Sequence, residues 1–254
     1  MIIEADLDGA ELRVICALSG EQLWKHAETC DMMFRTGPVV DKSSDEYKFA
    51  KSSTFRWLYT HPDRPVSGEP GQLRTYKVNI TQDTLARFSA MMGDRRPNIT
   101  AWKRQQLQVM RSRKRVYNAW GRYRDLRWAL ITGDPALLQH AENVALNFPI
   151  QTAIGEVMDV AFVRAWDAMD AEFYSIHPAS ATYHQDFWCR DRRAADAWLW
   201  GQVHDSLAAF AGEPGQTERI VAIFRQAIEQ PIPELGGLII PADVKCLPTW
   251  GTVA

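Results

Sequence analysis

The chain opens MIIEADLDGAELRVICALSG, and the run DLDGAELRV within it constrains the fold more than any other stretch. Met1 to Ala5 reads as a strand, and three acids, Asp6, Asp8 and Glu11, crowd its exit. The following LRVICALSGEQLWKHAE reads as a helix or a strand-to-helix passage. A solvated strand end explains any one of these acids, because charged residues mostly lie on surfaces. Whether the crowding is chemistry depends on what the rest of the chain can bring to that strand end.

The chain has 254 residues, 46% of them apolar, enough to bury a sizeable core. It has no apolar run of membrane-spanning length, and Met1-Ile2-Ile3-Glu4 is no signal peptide. Cys16, Cys30, Cys189 and Cys246 form no CxxC pair, which predicts reduced thiols and a cytoplasmic setting. His177, His184 and Cys189 fit no standard zinc spacing. The net charge of −2 hides an asymmetry. Between Asp94 and Arg127 eleven Lys and Arg face two acids, a net of +9, so the remainder carries −11. Trp102, Tyr117, Trp120 and Tyr123 interleave with those cations, a pattern suited to a polyanion such as nucleic acid.

Helical spacing dominates the middle of the chain. SSDEYKFAKSSTFRWLYTH reads as a helix with a capping box from Ser43 to Glu46, and HPDRPVSGEPGQ as a loop. Thr81 to Met92 and Ile99 to Tyr117 read as helices, the second carrying the basic stripe. Asp134-Pro135 starts another, which Pro149 is expected to interrupt before a long helix resumes. GQVHDSLAAFAG reads as two strands about a turn holding His204 and Asp205. TERIVAIFRQAIEQ is a further helix and LIIPADVKC a last strand, so the fold class is α+β with a small antiparallel sheet packed on helices.

Three separated pieces then ask for one explanation. Asp6 and Glu11 end the first strand, and Asp205 lies at a distant strand turn. Lys51, Phe55 and Tyr59 recur at i, i+4 and i+8, on one helix face. Two aspartates from distant strands can hold a pair of Mg²⁺ ions about 4 Å apart. A helix offering a lysine for phosphate and rings for a base is the natural counterpart.

DLDGAELRV resembles motif A of the family A DNA polymerases, the bacterial DNA polymerase I group, whose pattern is Asp-Tyr-Ser-Gln-Ile-Glu-Leu-Arg-Val. KFAKSSTFRWLYT resembles motif B, NFPIQ the Asn-x-Pro-x-Gln signature that starts a long palm helix, and QVHDS motif C. RPNITAWKRQQLQVMRSRKRVYNAWGRYRDL is similar to the fingers segment ending in a Gly-Arg-x-Arg box, here Arg122 and Arg124. Five signatures in order span nearly the whole chain. The resemblance implies a palm over residues 1–22 and 136–254 and mostly helical fingers over 23–135.

It also implies roles, position by position. Asp6 and Asp205 would be the catalytic, metal-binding carboxylates for two Mg²⁺ ions, and Glu11 the gate against a sugar 2′-hydroxyl. Lys51 would hold the incoming triphosphate, Phe55 would lie against its sugar and Tyr59 would stack at the templating position. Asn147, Gln151 and His204 would contact the primer-template DNA, as would Arg122 and Arg124. The motif B arginine is replaced by Tyr47, with Lys48 beside it to serve phosphate; Thr60, Asn143 and Ser206 are further departures. About thirty residues, 171–200, look inserted before motif C. The family's thumb precedes motif A, so a separately encoded N-terminal part is the expected partner, as in a split phage-type polymerase, beside deoxynucleotides and DNA. A non-catalytic DNA-binding replication subunit is the first alternative, and a single-subunit RNA polymerase fragment the second.

Overall fold

In the computed structural model, residues 1–37, 41–66, 78, 80–174, 197–203 and 205–248 are described. The chain divides into two compact units, one of Met1–Glu11 with Thr152–Ala254 and one of Leu12–Gln151.

The first unit is built on a four-stranded antiparallel sheet. Its strands are β1 (Ile2–Leu7), β4 (Ala197–Val203), β5 (Ser206–Ala211) and β6 (Ala242–Leu247), in the order β4-β5-β1-β6. Ile3, Ala5 and Leu7 are buried while Ile2, Glu4 and Asp6 are not, the period-two alternation of a strand with one covered face. Helix α8 (Pro214–Ile228) packs on β1, β5 and β6, its Ile220, Phe224 and Ala227 buried at helical spacing.

The second unit is mainly helical. It holds most of α1 (Ala10–Ser19) and all of α2 (His26–Phe34), α3 (Asp45–Tyr59), α4 (Gln82–Arg95), α5 (Pro97–Arg113) and α6 (Arg127–Ile131). The N-terminal half of α7 (Pro135–Met169) completes it. A two-stranded hairpin, β2 (Arg115–Tyr117) and β3 (Tyr123–Asp125), follows α5.

Four local readings need correction or closer definition. The N-cap of α3 is Ser44, whose hydroxyl accepts from the Tyr47 N–H at 3.2 Å; Ser43 instead donates to Asp41. The basic helix stops at Arg113, because Lys114 turns left-handed at φ 59° and Arg115-Val116-Tyr117 pairs as a strand. Pro149 does not interrupt α7. Its missing N–H removes one ladder bond, but Ala145, Leu146, Pro149, Ile150 and Ala153 are all buried, and that packing carries the helix through. The segment expected as an insertion begins with a π-helical turn at Asp170–Tyr174 and ends within β4, and most of it lies outside the described residues.

Candidate active site

In the first unit two acids come together at one end of the sheet. Asp6 is half-exposed on β1, and its partner across β5 is Ser206. The Leu7 N–H donates to the Asp205 carbonyl at 3.4 Å, so the short β4–β5 turn delivers Asp205 to the strand end that carries Asp6. The Asp6 carboxyl is pushed above the ordinary carboxylate range, first by burial, then by the negative charge of Asp205. The Leu7 N–H, 2.9 Å from Asp6 Oδ1, and the Lys245 ammonium pull the other way. Lys245 lies on β6 with its Nζ 3.6 Å from Asp243 Oδ2, and Asp243 is the partner of Asp6 on that side. Glu11 occupies the first turn of α1, where a carboxylate suits the helix N-terminus. Gly9, at φ 61°, makes the sharp passage from strand to helix that places it there.

A carboxyl group whose proton affinity is raised by burial and by a neighbouring carboxylate, as that of Asp6 is, supplies the oxygen donors a hard divalent cation takes, and a bound cation reverses that rise. Among the described residues no group of three or more His, Cys, Asp and Glu gathers as metal ligands. Such a donor set fits Mg²⁺, which keeps several waters and takes substrate phosphate oxygens beside one or two carboxylates.

The second unit carries the other candidates. Lys51, Phe55 and Tyr59 lie along α3, Lys51 exposed and the two rings half-buried. His26, from α2, packs its ring 5.2 Å from that of Phe55 and 6.4 Å from that of Tyr47. Burial, and next the Lys51 charge, lower the His26 pKa to about 4, so its imidazole is neutral at pH 7. The Gln151 Nε2 donates to the Tyr59 hydroxyl at 3.1 Å, which ties α3 to α7. Asn147 lies one turn earlier on α7, exposed like Gln151. Lys48 is exposed on α3, and Arg122 and Arg124 are exposed at the tip and on the second strand of the hairpin. His204 lies outside the described residues.

Sequence reasoning missed three participants. His26 is one, since nothing in its spacing links it to α3. The second is Glu142, buried on α7 with 2% of its side chain exposed, holding Arg64 at 2.9 Å and Arg111 at 3.0 Å. The third is Lys103, counted with the exposed basic stripe but 1% exposed. Its Nζ donates to the Trp57 carbonyl near the C-terminus of α3 at 2.6 Å and sits 4.7 Å from the Trp57 ring centroid. Burial brings its pKa down to about 7. Trp102 beside it is buried too, at 6%, so it is core and not part of an aromatic surface.

No protein-family model matches the chain. It is similar to the thermostable DNA polymerase I of Thermus filiformis, 25% identical over 255 residues, and to that of Thermus caldophilus, 25% identical over 257. Each alignment covers 96% of this chain and 26% of the relative, so the chain spans about a quarter of the length of these curated relatives. Among solved structures it is similar to the POL domain of Pol1 from M. smegmatis in complex with DNA primer-template and dNTP. That likeness has a TM-score of 0.66 at 19% identity and covers 96% of this chain and 38% of the other. The fold is therefore that of a polymerase domain, a small antiparallel sheet joined to a mostly helical subdomain. No helix among the described residues is long and apolar enough to cross a membrane.

Proposed function

We propose that the chain is the palm and fingers of a family A DNA polymerase, transferring a deoxynucleotide to a primer 3′-hydroxyl under the direction of a template. One observation carries the reading: strand pairing brings Asp6 and Asp205 to the same sheet end in a chain similar to DNA polymerase I along nearly all its length. The first unit serves as palm and the second as fingers. Asp6 and Asp205 would hold two Mg²⁺ ions, which supply acidification of the primer hydroxyl and charge neutralisation of the leaving pyrophosphate.

The chain's own residues have the remaining tasks. Lys51 offers an ammonium to the triphosphate, and Phe55, backed by His26, gives the sugar an apolar wall. Tyr59, held by Gln151, presents a ring for stacking at the template base. Glu11 excludes a 2′-hydroxyl. Asn147, Arg122 and Arg124 contact the duplex, so binding should weaken steeply with salt.

Primer extension tests this reading, run with the chain alone and with the protein encoded beside it, because the chain spans only a quarter of its relatives. Asp6→Asn and Asp205→Asn should each abolish extension and leave primer-template binding within about threefold, since neither is a phosphate-binding cation. The second reading, a non-catalytic DNA-binding subunit, draws on Ser206, a buried serine opposite Asp6 where motif C has a glutamate. Extension absent under every condition, with binding intact, would establish that reading instead.

A further inference from the structure

The hairpin between α5 and α6 has two faces, and the arginine of the Gly-Arg-x-Arg box accounts for only one. Cross-strand partners share a face, and the register pairs Val116 with Arg124, Arg115 with Asp125, and Tyr117 with Tyr123. Val116 is fully buried against the body of the unit, while Arg124 across from it is exposed. The opposite face carries Arg115, Tyr117, Tyr123 and Asp125. There the Arg115 guanidinium lies 4.4 Å from the Tyr123 ring centroid, and the Tyr117 and Tyr123 rings are 6.0 Å apart. The Arg113 guanidinium adds a further layer, 5.9 Å from Tyr117. Tyr123 nevertheless keeps 53% of its surface exposed.

We infer that this face is a stacking platform for an unpaired base of single-stranded DNA, a contact separate from the arginines of the box. The inference rests on the polymerase reading for the presence of such a strand. An exposed ring buttressed by a guanidinium is stiff and stays flat, and every base has a face to lay upon it. The backbone that carries the base finds a cationic surface. Residues 113–127 hold six Lys and Arg against the single acid Asp125. Asp125 is itself neutralised, Arg127 lying 2.7 Å away and Arg115 3.5 Å, and these partners hold its carboxyl down at about 2. The hairpin keeps its shape without ligand. The Asn118 carboxamide oxygen accepts from the Trp120 and Arg122 N–H groups, at 3.1 and 2.9 Å, and Gly121 takes φ 78° to close the turn.

Fluorescence anisotropy of the full chain with a labelled oligo-dT strand, and with an abasic strand of the same length and charge, separates stacking from phosphate contact. The wild type should prefer the oligo-dT strand by about tenfold, the effect of one stacked base. Tyr123→Leu keeps an apolar side chain on the hairpin but removes the ring, and should erase that preference; Tyr123→Trp should retain it. Arg124→Ala should weaken both strands alike. Equal affinity of the wild type for the two strands overturns the inference, as does a Tyr123→Leu chain that keeps the preference. So does displacement of the abasic and the oligo-dT strand alike by polyglutamate with no change on losing the ring, which would mark a surface for acidic protein. Because no catalysis is measured, a chain that extends no primer can still pass this test, and an active polymerase can fail it.

Discussion

The two units reach their candidate functional residues by opposite routes. In the first, Asp6 and Asp205 are far apart in sequence and meet only because β5 pairs antiparallel with β1. In the second, Lys51, Phe55 and Tyr59 share a face because one helix repeats every 3.6 residues, and tertiary structure sets His26 beside Phe55 and Gln151 beside Tyr59. The electrostatics differ as well. At the sheet end burial, and next the charge of Asp205, raise the Asp6 pKa, whereas the helical unit gathers cations and uses a buried acid, Glu142, to hold two of them. A site made by register is all-or-none, and a site made by a helix face degrades one contact at a time.

That difference predicts graded consequences. The largest belongs to the sheet end: losing either aspartate should lower extension by three orders of magnitude or more, measured as single-turnover incorporation, because each would help hold cations that stabilise transition-state charge by several kcal/mol. Next comes Lys103. In the unfolded chain it titrates near 10.5, in the folded protein near 7. Between those values the unfolded state binds a proton that the folded state does not, so stability rises as pH rises from 7 to 10.5. Below pH 7 both states are protonated and the penalty, of order a few kcal/mol, is complete. Lys103→Met should therefore flatten the rise of Tm with pH between 7 and 10; a variant with the wild-type slope breaks the assignment.

A smaller effect is expected at the gate. Glu11→Ala should reduce the preference for deoxy over ribonucleotides about tenfold, or 1.4 kcal/mol, read as the ratio of kcat/KM for the two substrates. The smallest is on the helix face. Tyr59→Phe removes the Gln151 hydrogen bond at an exposed position and should cost about 0.5–1 kcal/mol in denaturant titration while leaving extension within a few-fold. A collapse of activity in that variant would mean that the helix face is as all-or-none as the sheet end.

The sequence was readable where structure is local. The strand at Ile2–Leu7, the helix from Asp45 to Tyr59, and the start of α7, where the Ala136 N–H bonds Asp134 Oδ1 at 2.8 Å, all follow from periodicity and caps. It was unreadable where burial reassigns a residue. Lys103 and Trp102 look like surface in a basic stripe, and only their burial in the fold reveals them as interior, Lys103 with its Nζ on the Trp57 carbonyl of α3. Pro149 reads as a break because propensity ignores the buried face that spans it. The hairpin was missed because six residues of strand are too short for a period to declare itself. The pairing of Asp6 with the Asp205 turn came from the order of motifs, not from any pattern within either strand.

The central claim is that these two aspartates form one cation site. Binding of Mn²⁺ to the full chain, followed by electron paramagnetic resonance for the wild type, Asp6→Asn, Asp205→Asn and the double variant, tests it most directly. The account predicts that each single substitution removes most of the tight binding and that the double variant loses little more, because the carboxylates act together. Independent, additive losses, or a wild-type chain that binds no more Mn²⁺ than the double variant, would contradict it.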